Sequence, residues 1–199
     1  MVAGRGIVHS ERTPQADRAA PGGASIHGIQ TWIALPKDYE EIEPSFAHHP
    51  SASLPEARGQ GSTLRLIAGD AFGRHAPAAV YSRMFYLDAQ IDGAAMAPVP
   101  ADHVERAAYV ATGEIEVSGV RYEAGQMLVF DRSAEVSLVA RTASRVLLFG
   151  GDPLDGPRHI WWNFVSSSME RIERARLDWR EERFARVPGE TERIPLPES

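Results

Sequence analysis

The chain has 199 residues, of which 43% are hydrophobic, contains no cysteine and carries a formal net charge of −6. That length is enough to bury a real core in one large or two small domains, and the acidic balance argues against a surface that grips phosphate backbones, so no direct nucleic-acid binding is expected. No apolar run approaches the length of a membrane span and no secretory signal pattern opens the chain, so no membrane association and a cytoplasmic location are expected; the lack of cysteine leaves histidine and carboxylate as the strong metal ligands.

The first informative stretch is Gly4-Arg5-Gly6-Ile7-Val8-His9-Ser10-Glu11. Glycine tolerates positive φ, so Gly4 and Gly6 allow a tight turn into an extended run. On such a run His9 and Glu11, two residues apart, point to the same face. An imidazole beside a carboxylate is half of a metal site, and the plain alternative is a pair of solvated surface side chains. His27 precedes the alternating run Ile29, Thr31, Ile33, Leu35, which the period of two predicts as a buried strand ended by Pro36. His27 itself falls either near the half-site or in a strand-edge hydrogen bond.

From Lys37 to Ser62 there is no periodicity, and the prolines and acidic residues predict an interdomain loop. Its adjacent His48 and His49 would point to opposite faces of an extended chain, so they are read as solvated. Strands are expected over Leu64–Ala68 and Val80–Ile91, interrupted between them by Gly73 and Pro77. The second half carries short, evenly spaced apolar runs at Ala107–Ala111, Ile115–Val117, Met127–Phe130, Val136–Ala140 and Val146–Phe149, the mark of an all-β sandwich or barrel. Ser118-Gly119 and Ala124-Gly125 are hairpin turns, and Asp152 beside Gly150-Gly151 reads as a turn-former. His75, His103 and His159 have no metal-ligating partner in sequence, so this unit is expected to be structural or a binding surface instead of a metal site. Ser167-Ser168-Met169-Glu170 is read as a capping box of Ser167 and Glu170. A helix with Ile172, Ala175 and Trp179 on its apolar side follows, ended by Pro188-Gly189.

Several of these segments resemble the pirin family, and the likeness runs nearly the whole chain. It starts at Gly4–Pro14 and continues through His27–Pro36, Pro44-Ser45-Phe46, Tyr109–Val117 and Gly150–Leu154, ending with Trp161–Ser168 and Val187–Glu190. The resemblance implies an all-β protein of double-stranded β-helix (cupin) barrels, here an incomplete N-terminal cupin followed by a complete C-terminal cupin with a C-terminal helix. It implies a division into residues 1–61, the remnant of the N-terminal cupin with the interdomain loop, and residues 62–199. It also implies an iron site in the first cupin of three histidines and one glutamate. His9 and Glu11 match one histidine and the glutamate of that site, whereas the family's other two histidines stand on an upstream His-Pro-His segment that this sequence does not contain. The chain is therefore expected to be N-terminally truncated, with Fe(II) bound in the full-length parent and weakly or not at all here.

Three roles follow from the resemblance. The first is an Fe(II)-dependent oxidoreductase of the quercetin 2,3-dioxygenase type, acting on a small-molecule flavonol. The second is a redox-sensitive regulatory module that binds a protein partner, a transcription cofactor or an enzyme modulator. The third is an inactive fragment.

Overall fold

The structure, a computed structural model, describes residues 1–13, 15–19, 27–132 and 134–197; Pro14 of the first motif lies outside them. Contacts group the chain into two compact units, Ala47–Pro153 and a unit made of Met1–Phe46 with Leu154–Ser199.

The Ala47–Pro153 unit is all β. One sheet runs in the order β1 (Glu56–Gly59), β2 (Ser62–Ala71), β4 (Met84–Ile91), β11 (Ser144–Gly151), β6 (Glu105–Thr112), β9 (Met127–Phe130), with the two-residue β3 (Arg74–His75) paired to β2. The second sheet runs β5 (Met96–Pro98), β10 (Ser137–Ala140), β7 (Glu114–Val117), β8 (Val120–Glu123). Alternate residues explain why the two sheets stack. Leu64 and Leu66 of β2, Phe85 and Leu87 of β4, Val110 of β6 and Val146 and Leu148 of β11 share one core with Ile115, Leu138 and Ala140 of the smaller sheet. Each large apolar side chain buried this way contributes roughly 1.5–3 kcal/mol.

The central strands are buried on both faces. Met84 and Tyr86 of β4 and Leu147 of β11 form a second cluster on the far side of the sheet. There the buried Asp88 is held by Arg145 through paired 2.8 Å bonds. A register shift between Leu66 and Ala68 precedes Gly69, which sits at φ 74°, where a Cβ would collide with the Met84 carbonyl. The β7–β8 turn carries Ser118 at φ 50° and Gly119 at φ 80°, the paired left-handed conformations of a tight hairpin.

The expected strands of this unit are present, with three revisions. Residues 80–83 are not strand, because β4 begins at Met84. The expected interdomain loop contains β1, whose Glu56 to Gly59 pair with Arg65 to Ser62. Strand β5 carries no alternation in sequence and exists because β10 supplies its partners.

In the other unit, among the described residues, the alternating run from Ile29 to Leu35 is not a strand. Ile29, Trp32 and Ile33 are each about half exposed. A period of two gives a strand only where a neighbour receives its hydrogen bonds and covers its apolar face. A short helix α1 (Gln15–Arg18) lies ahead of that run. The C-terminal part forms a hairpin of β12 (His159–Trp161) and β13 (Phe164–Ser166), then helix α2 (Met169–Arg180).

The helix begins one residue later than the capping box places it. Ser168 accepts from the Arg171 amide at 3.2 Å. Ser167 is taken by Glu40 through both its amide and its hydroxyl. The helix also ends well before Pro188, because Glu182 turns left-handed at φ 57° after the Glu181 cap. Ile172 and Ala175 are buried as expected. Trp179 joins Trp162, Phe164 and Phe184 in an aromatic cluster with ring centres 5.1–6.5 Å apart.

Candidate functional site

His9 and Glu11 are positioned by the turn that precedes them. Val2 and Ser45 exchange backbone hydrogen bonds at 2.8 and 3.0 Å, and the Arg5 amide donates to the Ile42 carbonyl at 3.0 Å. Gly4 at φ 50° and Gly6 at φ 132° make the turn, as glycine permits, and a Cβ on Gly6 would strike the Phe184 ring. Beyond this anchor the backbone is irregular and the His9, Ser10 and Glu11 side chains are exposed. They line one open depression of about 360 Å³ together with Met1, Gln30 and Phe46.

The next side chain leads away from it. The Arg12 guanidinium bonds Glu190 at 2.6 Å and Glu192 at 3.0 Å. Those bonds raise the Arg12 pKa and hold the Glu190 carboxyl down at about 2, chiefly through the hydrogen bond from Arg12.

The donors in this depression do not make a complete metal shell. One imidazole and one carboxylate are strong ligands, and the Ser10 hydroxyl and Gln30 amide are weak ones. Among the described residues no three His, Asp or Glu side chains are grouped to hold an ion. His27 is exposed and does not line the depression, where Gln30 stands instead; His48 and His49 do not line it either. The residues on hand therefore do not by themselves fit a resident iron.

The same unit contains a polar hub that periodicity could not show. Arg158, almost fully buried, forms an ion pair with Glu40 at 2.6 Å and donates to the Leu35 carbonyl at 2.7 Å and to Asp155 at 2.6 Å. Glu40 in turn accepts from Ser166 and Ser167, and Asp155, its carboxyl held low first by Arg158, accepts from the Lys37 amide. The only hint in sequence is a set of polar residues flanking apolar segments, which is too common to single them out.

The Ala47–Pro153 unit has a depression of its own, about 430 Å³, at the β2–β3 turn. Its lining includes Asp70, Phe72, Arg74, His75, Asp102 and His103. His75 does have a partner, the Asp70 carboxylate at 2.8 Å across the two strands. His103 is only 4% exposed, lies with its ring centre 4.9 Å from that of Phe85, and its Nε2 faces the Asp70 carbonyl at 3.3 Å. Asp152, read from sequence as a turn-former, instead meets Arg83 at 3.4 Å.

Residues 86–185 match the family described as the pirin C-terminal cupin domain. A pirin-like protein of Caulobacter vibrioides is 45% identical over 201 residues, covering 100% of this chain and 68% of that protein. A Pseudomonas aeruginosa protein that bears the provisional name quercetin 2,3-dioxygenase is 36% identical over 191 residues, covering 94% of this chain and 58% of its own length. The crystal structure of a quercetin 2,3-dioxygenase from Acinetobacter baumannii is similar with a TM-score of 0.76 and 27% identity, over 84% of this chain and 57% of that one. The chain thus spans a little over half to two thirds of the length of these three proteins.

Proposed function

The chain belongs to the pirin family, and on that premise we propose that it is part of an Fe(II)-dependent oxidoreductase of the quercetin 2,3-dioxygenase type, with His9 and Glu11 as two of its metal ligands. The observation that carries this reading is the presence of His9 and Glu11 on one open depression. An imidazole and a carboxylate sharing an accessible face are the donor types that O₂ chemistry at non-haem iron uses. Two donors leave an ion largely hydrated, and the pirin resemblance implies that the two further imidazoles stand on a His-x-His segment upstream of His9. Met1 and Phe46 add an apolar wall, and Phe46, 72% exposed, offers a ring face to a flat aromatic ligand such as a flavonol. In this reading residues 62–199 are the C-terminal cupin, which the family match over residues 86–185 supports, and the protein works in the cytoplasm. No helix among the described residues is long and apolar enough to cross a membrane.

A second reading, a redox-sensitive module that docks on a protein partner, draws support from the exposed Ile29, Trp32, Ile33 and Phe46.

Iron content after anaerobic loading and quercetin-dependent oxygen uptake test the first reading. In a longer form that carries the His-x-His segment, near-stoichiometric iron and flavonol oxidation are expected. His9→Ala or Glu11→Ala there should weaken iron binding by more than about 100-fold, the upper end of what losing an outer-sphere partner costs, while His48→Ala leaves it unchanged. The 199-residue chain alone should load iron weakly. Iron binding in the longer form that is indifferent to both His9 and Glu11 would remove them from the site.

A further inference from the structure

We propose that the segment following α2 is a strap that fixes the position of His9 and Glu11, with Arg12 and Glu190 as its positioning residues. Among the described residues, 7–12 belong to no helix or strand, so no sheet ladder sets where the two side chains stand. The contacts that hold this stretch come instead from the far end of the chain. On one side it is clamped at Arg5 and Gly6. The Arg5 carbonyl accepts from Arg171 of α2 at 2.7 Å, and Gly6 packs so closely on Phe184 that a Cβ would stand 2.7 Å from a ring carbon. On the other side it is clamped at Arg12, whose Nε donates to Glu190 at 2.6 Å and whose Nη2 donates to Glu192 at 3.0 Å. Residues 7–11 bridge the two clamps, and a short bridge held at both ends has little freedom left.

The strap is itself fixed by local chemistry. Pro188 and Gly189, the latter at φ 77°, form the proline–glycine pair of a type II turn, closed by the Glu190 amide on the Val187 carbonyl at 3.1 Å. Beyond the turn, Glu190 Oε1 accepts from the Thr191 and Glu192 amides at 3.0 and 3.2 Å, which leaves Oε2 for Arg12. Further along, Arg193 bonds Glu182 at 3.0 Å, and the Trp179 indole donates to the Ile194 carbonyl at 2.9 Å.

The Glu190 side chain is only 16% exposed, so its link to Arg12 is better shielded than a pair of free surface charges. A charge-assisted bond to a guanidinium fixes direction as well as distance, and Arg12 is the residue next to Glu11. His9 and Glu11 therefore share one depression while the strap is docked, and whatever takes Arg12 away from Glu190 releases both. The strap acts on the candidate site of the reading above, yet it sets where two side chains stand and not what they bind, so its test needs no metal.

Backbone ¹⁵N relaxation and histidine ring signals of the full 199-residue chain, without metal, test the strap. Amide order parameters over residues 7–12 should lie near about 0.85, as in rigid backbone, and fall below about 0.6 in Glu190→Ala and in Arg12→Ala, while those of α2 stay near about 0.85. The His9 ring signals should shift in Glu190→Ala. Those of His75 and His103, in the other unit, should stay in place and report an intact fold. Glu173→Ala, which removes the ion pair of Glu173 with Arg176 on α2, should leave residues 7–12 unchanged. Order parameters over residues 7–12 that ignore Glu190→Ala overturn the proposal, as do values already below about 0.6 in the unaltered chain. An equal loss of order in α2, or loosening by Glu173→Ala as large as by Glu190→Ala, overturns it as well.

Discussion

The two units of this chain are held together by different means. In Ala47–Pro153 the backbone groups are consumed by sheet ladders, and Phe85, Leu66, Leu87, Ile115, Leu138 and Leu148 are almost wholly buried between two sheets. In the unit of Met1–Phe46 and Leu154–Ser199 much of the backbone is irregular, and the order comes from side chains: Arg158 on Glu40, Glu40 on Ser166 and Ser167, Arg171 on Glu41 and on the Arg5 carbonyl, and a cluster of aromatic rings. His9 and Glu11 lie on the second kind of scaffold. Exposed irregular segments carry binding groups more readily than ladders do, because their side chains are not committed to a core. The comparison also separates two kinds of stability, one spread over many apolar contacts and one concentrated in a few polar links.

The largest expected effect breaks the sheet-built unit. Phe85→Ala, at a fully buried position, should cost about 3–5 kcal/mol in a urea titration followed by far-UV circular dichroism; a loss below about 1 kcal/mol would mean the core there repacks freely. Next comes the polar hub. Glu40→Ala removes one of the two carboxylates on the buried Arg158 guanidinium, leaving Asp155 in place, and takes the acceptor from Ser166 and Ser167; losing such charge-assisted bonds costs about 1.5–3 kcal/mol. Hydrogen exchange should show the loss in the amides of α2 and β13, while the amides of β4 and β11 keep their protection. Equal loss in both regions would erase the distinction between the units.

A smaller effect is expected at the helix cap. Ser168→Ala should lower the stability of α2 by about 1 kcal/mol, whereas Ser167→Ala removes a hydrogen bond to Glu40 and leaves the helix start in place. The last test is pH. The Glu190 carboxyl is depressed to about 2 from an ordinary value of 4.5. Its link to Arg12 is therefore fully present above about 4.5 and lost as the pH falls toward 2. The carboxyl signal of Glu190 in an NMR titration should report that low midpoint, and added salt should raise it, since the Arg12 partner is about half exposed; a midpoint near 4.5 at low salt would dissolve the tether.

Legibility in the sequence follows the same division. The runs Met127–Phe130 and Val136–Ala140, the latter a strand from Ser137, with the turn at Ser118-Gly119, were readable because local apolar patterning and turn chemistry agree with the sheet they enter. The run from Ile29 to Leu35 shows alternation, yet Ile29, Trp32 and Ile33 are about half exposed and, among the described residues, the run is not part of a strand. Spacing put His9 and Glu11 on one face, and they share a depression. Spacing did not associate Gln30, Phe46 and Met1 with them; Met1 and Phe46 are brought together by the Val2–Ser45 bridge, and Gln30 comes from a distant part of the chain.

By itself the sequence determined the all-β character of the second half, the turns between its strands and the existence of the C-terminal helix, and it placed His9 and Glu11 near one another. Each is a property of neighbours within a few residues, where side-chain period and glycine φ act directly. The tertiary structure alone decided that Glu40 meets Arg158, that Ser168 and not Ser167 caps the helix, that His75 meets Asp70, and that His103 is buried with one nitrogen unpaired. These depend on which distant backbone and side-chain groups compete for the same donor or acceptor, and that competition is settled only when the chain has folded.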